Sequence, residues 1–196
     1  MRRLNDMIIL FSRSAPLFVL AFIVAFGSLF AVFGPIQLAF AEATNGLLPF
    51  DLQHQLTSAQ ISEQLPDYTE LARQLYYAFS FVDFFFPFFA AIFMAAIAAF
   101  SLRYLAPQAY AWVEQRKLFP LLMLATAFDW LENICALLVI SQYPTEMSAA
   151  AGLLVLAKQG KLVFVAVSQA VGWSLLLAAT VKRLLRFFQG TAAGTR

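Results

Sequence analysis

Three carboxylates lie in stretches apolar enough to cross a bilayer: Asp83 within VDFFFPFF, and Asp129 and Glu132 within FDWLEN. A charged group in hydrocarbon costs several kcal/mol even by the lower estimates, so such residues face a bundle interior, pair with one another or line a pathway. The chemistry open to them is ion pairing, hydrogen bonding, cation capture and proton transfer. Asp129, Glu132, Asn133 and Ala136 stand at i, i+3, i+4 and i+7, one continuous stripe of a helix. Asp83, Pro87, Ala91, Ala95 and Ala99 recur every four residues. That ridge of small side chains lets a neighbouring helix approach and carries Asp83 inward, with Phe84, Phe85 and Phe88 toward lipid. Pro87 removes the hydrogen bond to the Asp83 carbonyl, which predicts a kink or hinge at the acid.

Lys161, Ser168, Gln169 and Gly172 fall roughly on one face of a later helix, with Lys158 a turn earlier. At 1.5 Å per residue, Asp129 lies ~17 Å and Gln169 ~18 Å from the inner ends of their spans, so the two are expected to meet near mid-membrane, with Asp83 in the same layer. Glu132, ~21 Å up, is expected to pair with Lys161 or Lys158 near the outer boundary, since a long lysine can reach down. Three acids against two lysines leave an imbalance that a proton on Asp83 or Asp129 would remove. Held to Asn133 or Gln169, that proton is structural glue; exchanged, it makes a relay.

Positioning these residues requires membrane-spanning elements, and composition supplies them. The chain is 62% hydrophobic with 22 Phe and only 12% charged residues, where soluble domains carry roughly a quarter. Its mean hydropathy is +0.76. The expectation is an all-α polytopic membrane protein forming one membrane domain, a four-helix antiparallel bundle. The spans are Ala15 to Ala41, Leu71 to Leu102, Leu118 to Ser141 and Lys161 to Val181. Between them lie an outer loop over 42–70, an inner loop over 103–117, an outer loop over 142–160 and a tail over 182–196.

Basic residues orient the bundle. With the N-terminus inside, only Arg73, Lys158 and Lys161 of the 13 basic residues fall outside. The inner flanks hold Arg2, Arg3, Arg13, Arg103, Arg116, Lys117, Lys182, Arg183, Arg186 and Arg196. The positive-inside rule then puts both termini in the cytoplasm, in a bacterial inner membrane. The net charge of +2 is a topology signal and implies no nucleic acid. Ala39-Phe40-Ala41 before Glu42 looks like a signal-peptidase site, but the apolar run exceeds the ~7–15 residues of a signal core, so the first helix is expected to be retained.

One cysteine and one histidine narrow the chemistry further. Disulfide oxidoreductases need cysteine pairs, and membrane haem or di-iron sites need several histidines. No metal or cofactor is expected; Cys135 reads as a packing residue and His54 as a loop residue. The loop carries Glu42, Asp51, Glu63, Asp67 and Glu70, a solvated face or a cation-collecting vestibule. Asn45-Gly46 reads as a turn, and Leu47, Leu48, Pro49 and Phe50 lie on the bilayer surface or cap the bundle. Thr57 with Gln60 reads as a capping box opening a short amphipathic helix that Pro66 ends. Asp67 with Glu70 repeats the signature before the second span, and Tyr76 and Tyr77 fall at the aromatic belt.

VDFFFPFF and FDWLEN resemble the D-x-x-F-P and D-x-x-E-N patterns of a family of uncharacterised bacterial four-helix integral membrane proteins. The likeness runs from LPFD in the outer loop through the third span, mapping onto Asp83, Pro87, Asp129, Glu132 and Asn133. It implies a four-span bundle and no assigned activity. A second resemblance is to the sterol-isomerase and sigma-2-receptor-like fold, with four spans, cytoplasmic termini and buried acids around a lipophilic site. The chain departs from the isomerase pattern in lacking a membrane histidine.

Three functional readings follow. The first is binding of a small lipophilic or cationic ligand, or a lipid, in a cavity lined by Asp83, Asp129, Glu132, Asn133 and Gln169. The second is a proton-coupled carrier or relay, for which four spans suffice as half of a homodimer. The third is an accessory subunit of a membrane complex, with the acids as interhelical hydrogen-bond partners. Intramembrane aspartyl hydrolysis also uses two aspartates on neighbouring helices, but Glu132 crowds the pair, and catalysis is the least supported class.

Overall fold

The computed structural model describes the backbone of residues 1–193 and the side chains of residues 1–189. Arg196, counted above among the inner-side basic residues, lies outside them. The described residues are all-α. Four helical stretches, Ala15–Ala43, Glu70–Leu105, Phe119–Gln142 and Ser148–Gln189, are each long and apolar enough to cross a membrane. The chain is a multi-pass membrane protein.

Helix α1 (Arg2–Arg13) precedes the first span. Asn5, Ile8, Ile9 and Ser12 are buried at i, i+3, i+4 and i+7, while Arg2, Arg3 and Asp6 are exposed. Ser14 then adopts an extended conformation, and Pro16 in the first turn of α2 (Ala15–Ser28) starts the span afresh. A wider π-turn over Leu29–Phe33 joins α2 to α3 (Gly34–Ala43). Pro35 lies just beyond it and cannot donate back to the preceding turn, which accounts for the local widening. Thr44 closes α3 through its Oγ1, which donates to the Phe40 carbonyl at 2.7 Å, and the chain turns at Asn45 and Gly46 with φ of 55° and 101°.

Beyond the turn the chain dips back into the bundle. Pro49 and Phe50 are buried, with Phe50 stacked 5.2 Å from Tyr68 and tilted 5.8 Å from Tyr76. Of the two places open to this segment, it takes the capping one. The predicted capping box is present: Thr57 Oγ1 accepts from Gln60 N and Gln60 Oε1 accepts from Thr57 N, opening α4 (Ser58–Gln64). Thr69, and not Asp67, caps α5 (Glu70–Asp83), accepting from Ala72 N at 3.1 Å. Tyr76 is buried under the loop, so of the two expected belt tyrosines only Tyr77 is exposed. Burial pushes the Tyr68 phenol well above its usual range.

The second span is broken. Helix α5 stops at Asp83 and α6 (Phe86–Leu105) starts after a turn at Phe84 and Phe85. Ala91, Ala95 and Ala99 are buried, so the small-residue ridge faces its neighbours. Helix α7 (Pro107–Gln115) and a 3-10 turn over Phe119–Met123 lead into α8 (Leu124–Gln142). The last helix, α9 (Ser148–Ala193), starts ahead of Lys161, where hydropathy begins the fourth span. Hydropathy marks the apolar part of a helix and hydrogen bonding marks all of it, so the two beginnings differ.

Two apolar cores result. One gathers Phe40, Phe50, Tyr68, Tyr76, Cys135, Val139, Ile140 and Leu154 under the loop. The other gathers Ile8, Ile92, Ala95, Ala99, Tyr110 and Phe119 at the opposite end. Along α8, Asp129 to Asn133 fall between the residues given to the two cores, and Asp83 falls between them along the second span.

Candidate functional site

Polar side chains from four elements meet in that intermediate layer. Helix α5 delivers Asp83 from its last turn, and α8 delivers Asp129, Glu132 and Asn133 on one stripe. Helix α9 delivers Lys158 and Lys161. The fourth element is the 3-10 turn Phe50–Leu52, which brings Asp51. Asp83, Asp129, Glu132, Asn133 and Lys158 are all buried.

Lys161 is the hub. Its Nζ lies 3.1 Å from Asp129 Oδ1 and 2.5 Å from Glu132 Oε2, and is in contact with Asp51 Oδ1. Lys158 Nζ donates to Glu132 Oε1 at 3.1 Å and to the carbonyls of Phe50 at 2.8 Å and Asp51 at 2.6 Å. An ammonium carries three donors, and each lysine has three oxygen partners. The expected pairing of Glu132 with Lys161 or Lys158 is met by both. Asn133 Nδ2 donates to Asp83 Oδ2 at 2.9 Å and to Asp129 Oδ2 at 3.3 Å, which joins the second and third spans. A polar chain thus runs Asp51, Lys161, Asp129, Asn133, Asp83.

Close packing makes this geometry possible. A Cβ on Gly160 would stand 2.6 Å from the Phe128 ring, so only glycine lets α9 lie this near α8. Phe128 and Phe164 stack at 5.3 Å beside it. At the break in the second span, Trp130 Nε1 donates to the Phe84 carbonyl at 2.8 Å and Thr126 Oγ1 to the Pro87 carbonyl at 3.1 Å. The first satisfies a carbonyl left by the interrupted helix, as a membrane-spanning segment requires.

A cavity of about 250 Å³ opens on this layer between α6, α8 and α9. Asp83, Asp129, Asp51 and Lys161 give it polar lining, together with Ser168 and Gln169. Pro87, Ala91, Met94, Leu122 and Val165 are among its apolar walls. Of the residues singled out from sequence, Asp83, Asp129, Gln169, Lys161 and Pro87 line it. Glu132, Asn133 and Lys158 stand behind the wall, holding the lining residues in place. Gln169 does not bond the acids; its Oε1 accepts from Trp173 Nε1 at 2.5 Å.

Asp51, Thr126 and Trp130 escaped the sequence reading of the site. Asp51 sits in a loop, whose path helical spacing cannot foresee, although the apolar Pro49-Phe50 pair before it hinted at burial. Carboxylate oxygens of Asp51, Asp129 and Glu132 lie within 4.8 Å of one another, the spacing of a cation site. The Lys161 ammonium lies among them.

No family model, curated protein or solved structure matches the chain. Neither resemblance is supported by these comparisons; what stands is a four-span apolar helical bundle.

Proposed function

We propose that the cavity binds a small lipophilic amine, an ammonium group followed by a short apolar body. One observation carries the reading: Asp83 lines an apolar cavity beside Asp129, yet no lysine lies within ion-pairing distance of it among the described residues. Four acids (Asp51, Asp83, Asp129, Glu132) surround two lysines, so the layer favours a further positive charge, and Asp83 is where it is accessible. The apolar walls reward a short hydrocarbon body but no anion. Function is therefore binding, with no catalytic step assigned.

The topology that supports this is an antiparallel bundle with both termini cytoplasmic, in a bacterial inner membrane, with the Glu42 to Glu70 loop and α4 outside. Support comes from the distribution of basic residues and from Lys182 Nζ donating to the Leu105 carbonyl at 2.9 Å, at the end shared by α6 and the later part of α9. Asp51 would then link the outer surface to the cavity.

The test is thermal unfolding of the detergent-solubilised protein with a series of primary n-alkylamines. Short amines should raise the melting temperature of the wild type, matched n-alkanols should raise it less, and Asp83→Asn should lose the amine response. Equal stabilisation of the wild type and Asp83→Asn would end the proposal. A second reading, proton relay, is favoured by the carboxylates of Asp51, Asp83 and Asp129 lining one cavity; a pH jump across proteoliposomes that moves no protons would remove it.

A further inference from the structure

A second, larger crevice of about 490 Å³ lies at the other end of the bundle, lined by the α1–α2 junction, α6 and α9. Its walls are apolar, with Phe18, Phe93, Ile97 and Leu176 among them, and Phe18 stacks on Phe93 at a tilt, 4.8 Å between centroids. Its polar lining includes two arginines, Arg13 and Arg103. Arg13 precedes the first apolar span, which begins at Ala15, and Arg103 stands near the end of the second, which closes at Leu105. Both therefore sit where apolar chain gives way to headgroups.

The two guanidiniums converge on one residue. Arg13 Nη2 donates to Tyr110 Oη at 3.3 Å, and the Arg103 guanidinium lies 5.9 Å from the Tyr110 ring centre. Arg103 Nη2 also donates to the Ser12 carbonyl at 3.2 Å, tying it to the end of α1. Among the described residues one carboxylate, Glu114, answers the pair, 3.8 Å from Arg13. Two positive groups gathered around one negative one leave a single unbalanced charge. An oxygen-rich anion of charge minus one is the complement, and guanidinium groups suit phosphate oxygens.

We propose that this crevice holds one anionic glycerophospholipid, its phosphodiester between Arg13 and Arg103 and an acyl chain along Phe18, Phe93 and Ile97. The site is separate from the carboxylate-lined cavity and does not depend on it. A basic rim over an apolar crevice between spans matches the chemistry of such lipids. A zwitterionic phospholipid brings no net charge, and free phosphate brings no chain.

Native mass spectrometry and thermal unfolding of the detergent-solubilised full chain test this, with phosphatidylglycerol, phosphatidylethanolamine and inorganic phosphate as probes. One phosphatidylglycerol should be retained per chain and should raise the melting temperature; the other two probes should do neither. Arg13→Gln with Arg103→Gln should lower retention at least tenfold, whereas Arg2→Gln with Arg3→Gln, on the exposed face of α1, should leave it within twofold. Val19→Trp, on an exposed wall residue, should weaken retention with every charge intact, so a folding defect of the arginine variant does not decide the matter. Equal retention of both phospholipids, equal losses in the two arginine pairs, or stabilisation by phosphate alone would overturn the proposal.

Discussion

Taking the charge off Lys161 would leave Asp51, Asp129 and Glu132 facing one another in a largely buried layer. Breaking a buried pair by removing one partner costs ~3–5 kcal/mol, because the other charge stays uncompensated. Lys161→Met should therefore lower the unfolding temperature in detergent by far more than Asp51→Asn, which leaves two carboxylates on the lysine. Adding Asp129→Asn, whose only ion-pair partner among the described residues is Lys161, to Lys161→Met should restore part of the loss; no restoration would mean that the acids do not share the lysine. Lys158 acts differently, since two of its three partners are backbone carbonyls of the Phe50–Leu52 turn. Lys158→Met should release that turn, read as faster amide exchange at Phe50 to Gln53 with little change at α6. The acids of α8 and their lysines were legible from sequence because helical spacing places side chains on faces. Asp51 was not, because a loop residue has no such period, and its role depends on where Phe50 finds its stacking partners.

Helices meet here through small residues and through one broken helix. At Gly160 any side chain meets the Phe128 ring, and overpacking of this kind typically costs ~1–3 kcal/mol. Gly160→Leu should do at least that and should pull Lys158 and Lys161 away from α8; pairing it with Phe128→Ala should recover stability if the contact is the cause. Independent, additive losses in a double-mutant cycle would contradict the close approach. Trp130→Phe should cost ~1 kcal/mol by leaving the Phe84 carbonyl without its donor. Pro87 announced the break between α5 and α6 in the sequence, while the donor that satisfies it, a tryptophan on another span, was not predictable from spacing alone. Helix α1 was legible in principle: Asn5, Ile8, Ile9 and Ser12 follow the helical period within a flank that otherwise looks like a charged tail. Hydropathy passes over such a helix because its polar face averages out its apolar one.

Across the molecule, a polar layer lies between two apolar cores, and the first and last membrane-length helices bury little of their surface within the chain. That exposed surface is what lipid covers in a multi-pass protein. Composition alone announced the spanning helices, since few other folds tolerate so much phenylalanine and so little charge. The cavity was foreseeable only as a convergence of polar faces; its apolar walls depend on tertiary packing between α6, α8 and α9. If the proposed topology holds, reporters fused to either terminus should be active only in the cytoplasm, and a periplasmic signal from one of them would break it. A density map of the purified protein saturated with a short n-alkylamine decides most directly whether the cavity binds amines. The amine nitrogen should lie within hydrogen-bonding distance of an Asp83 carboxylate oxygen, with its chain between Met94 and Leu122. A cavity without amine density under saturating conditions, or amine bound only elsewhere on the bundle, would contradict it.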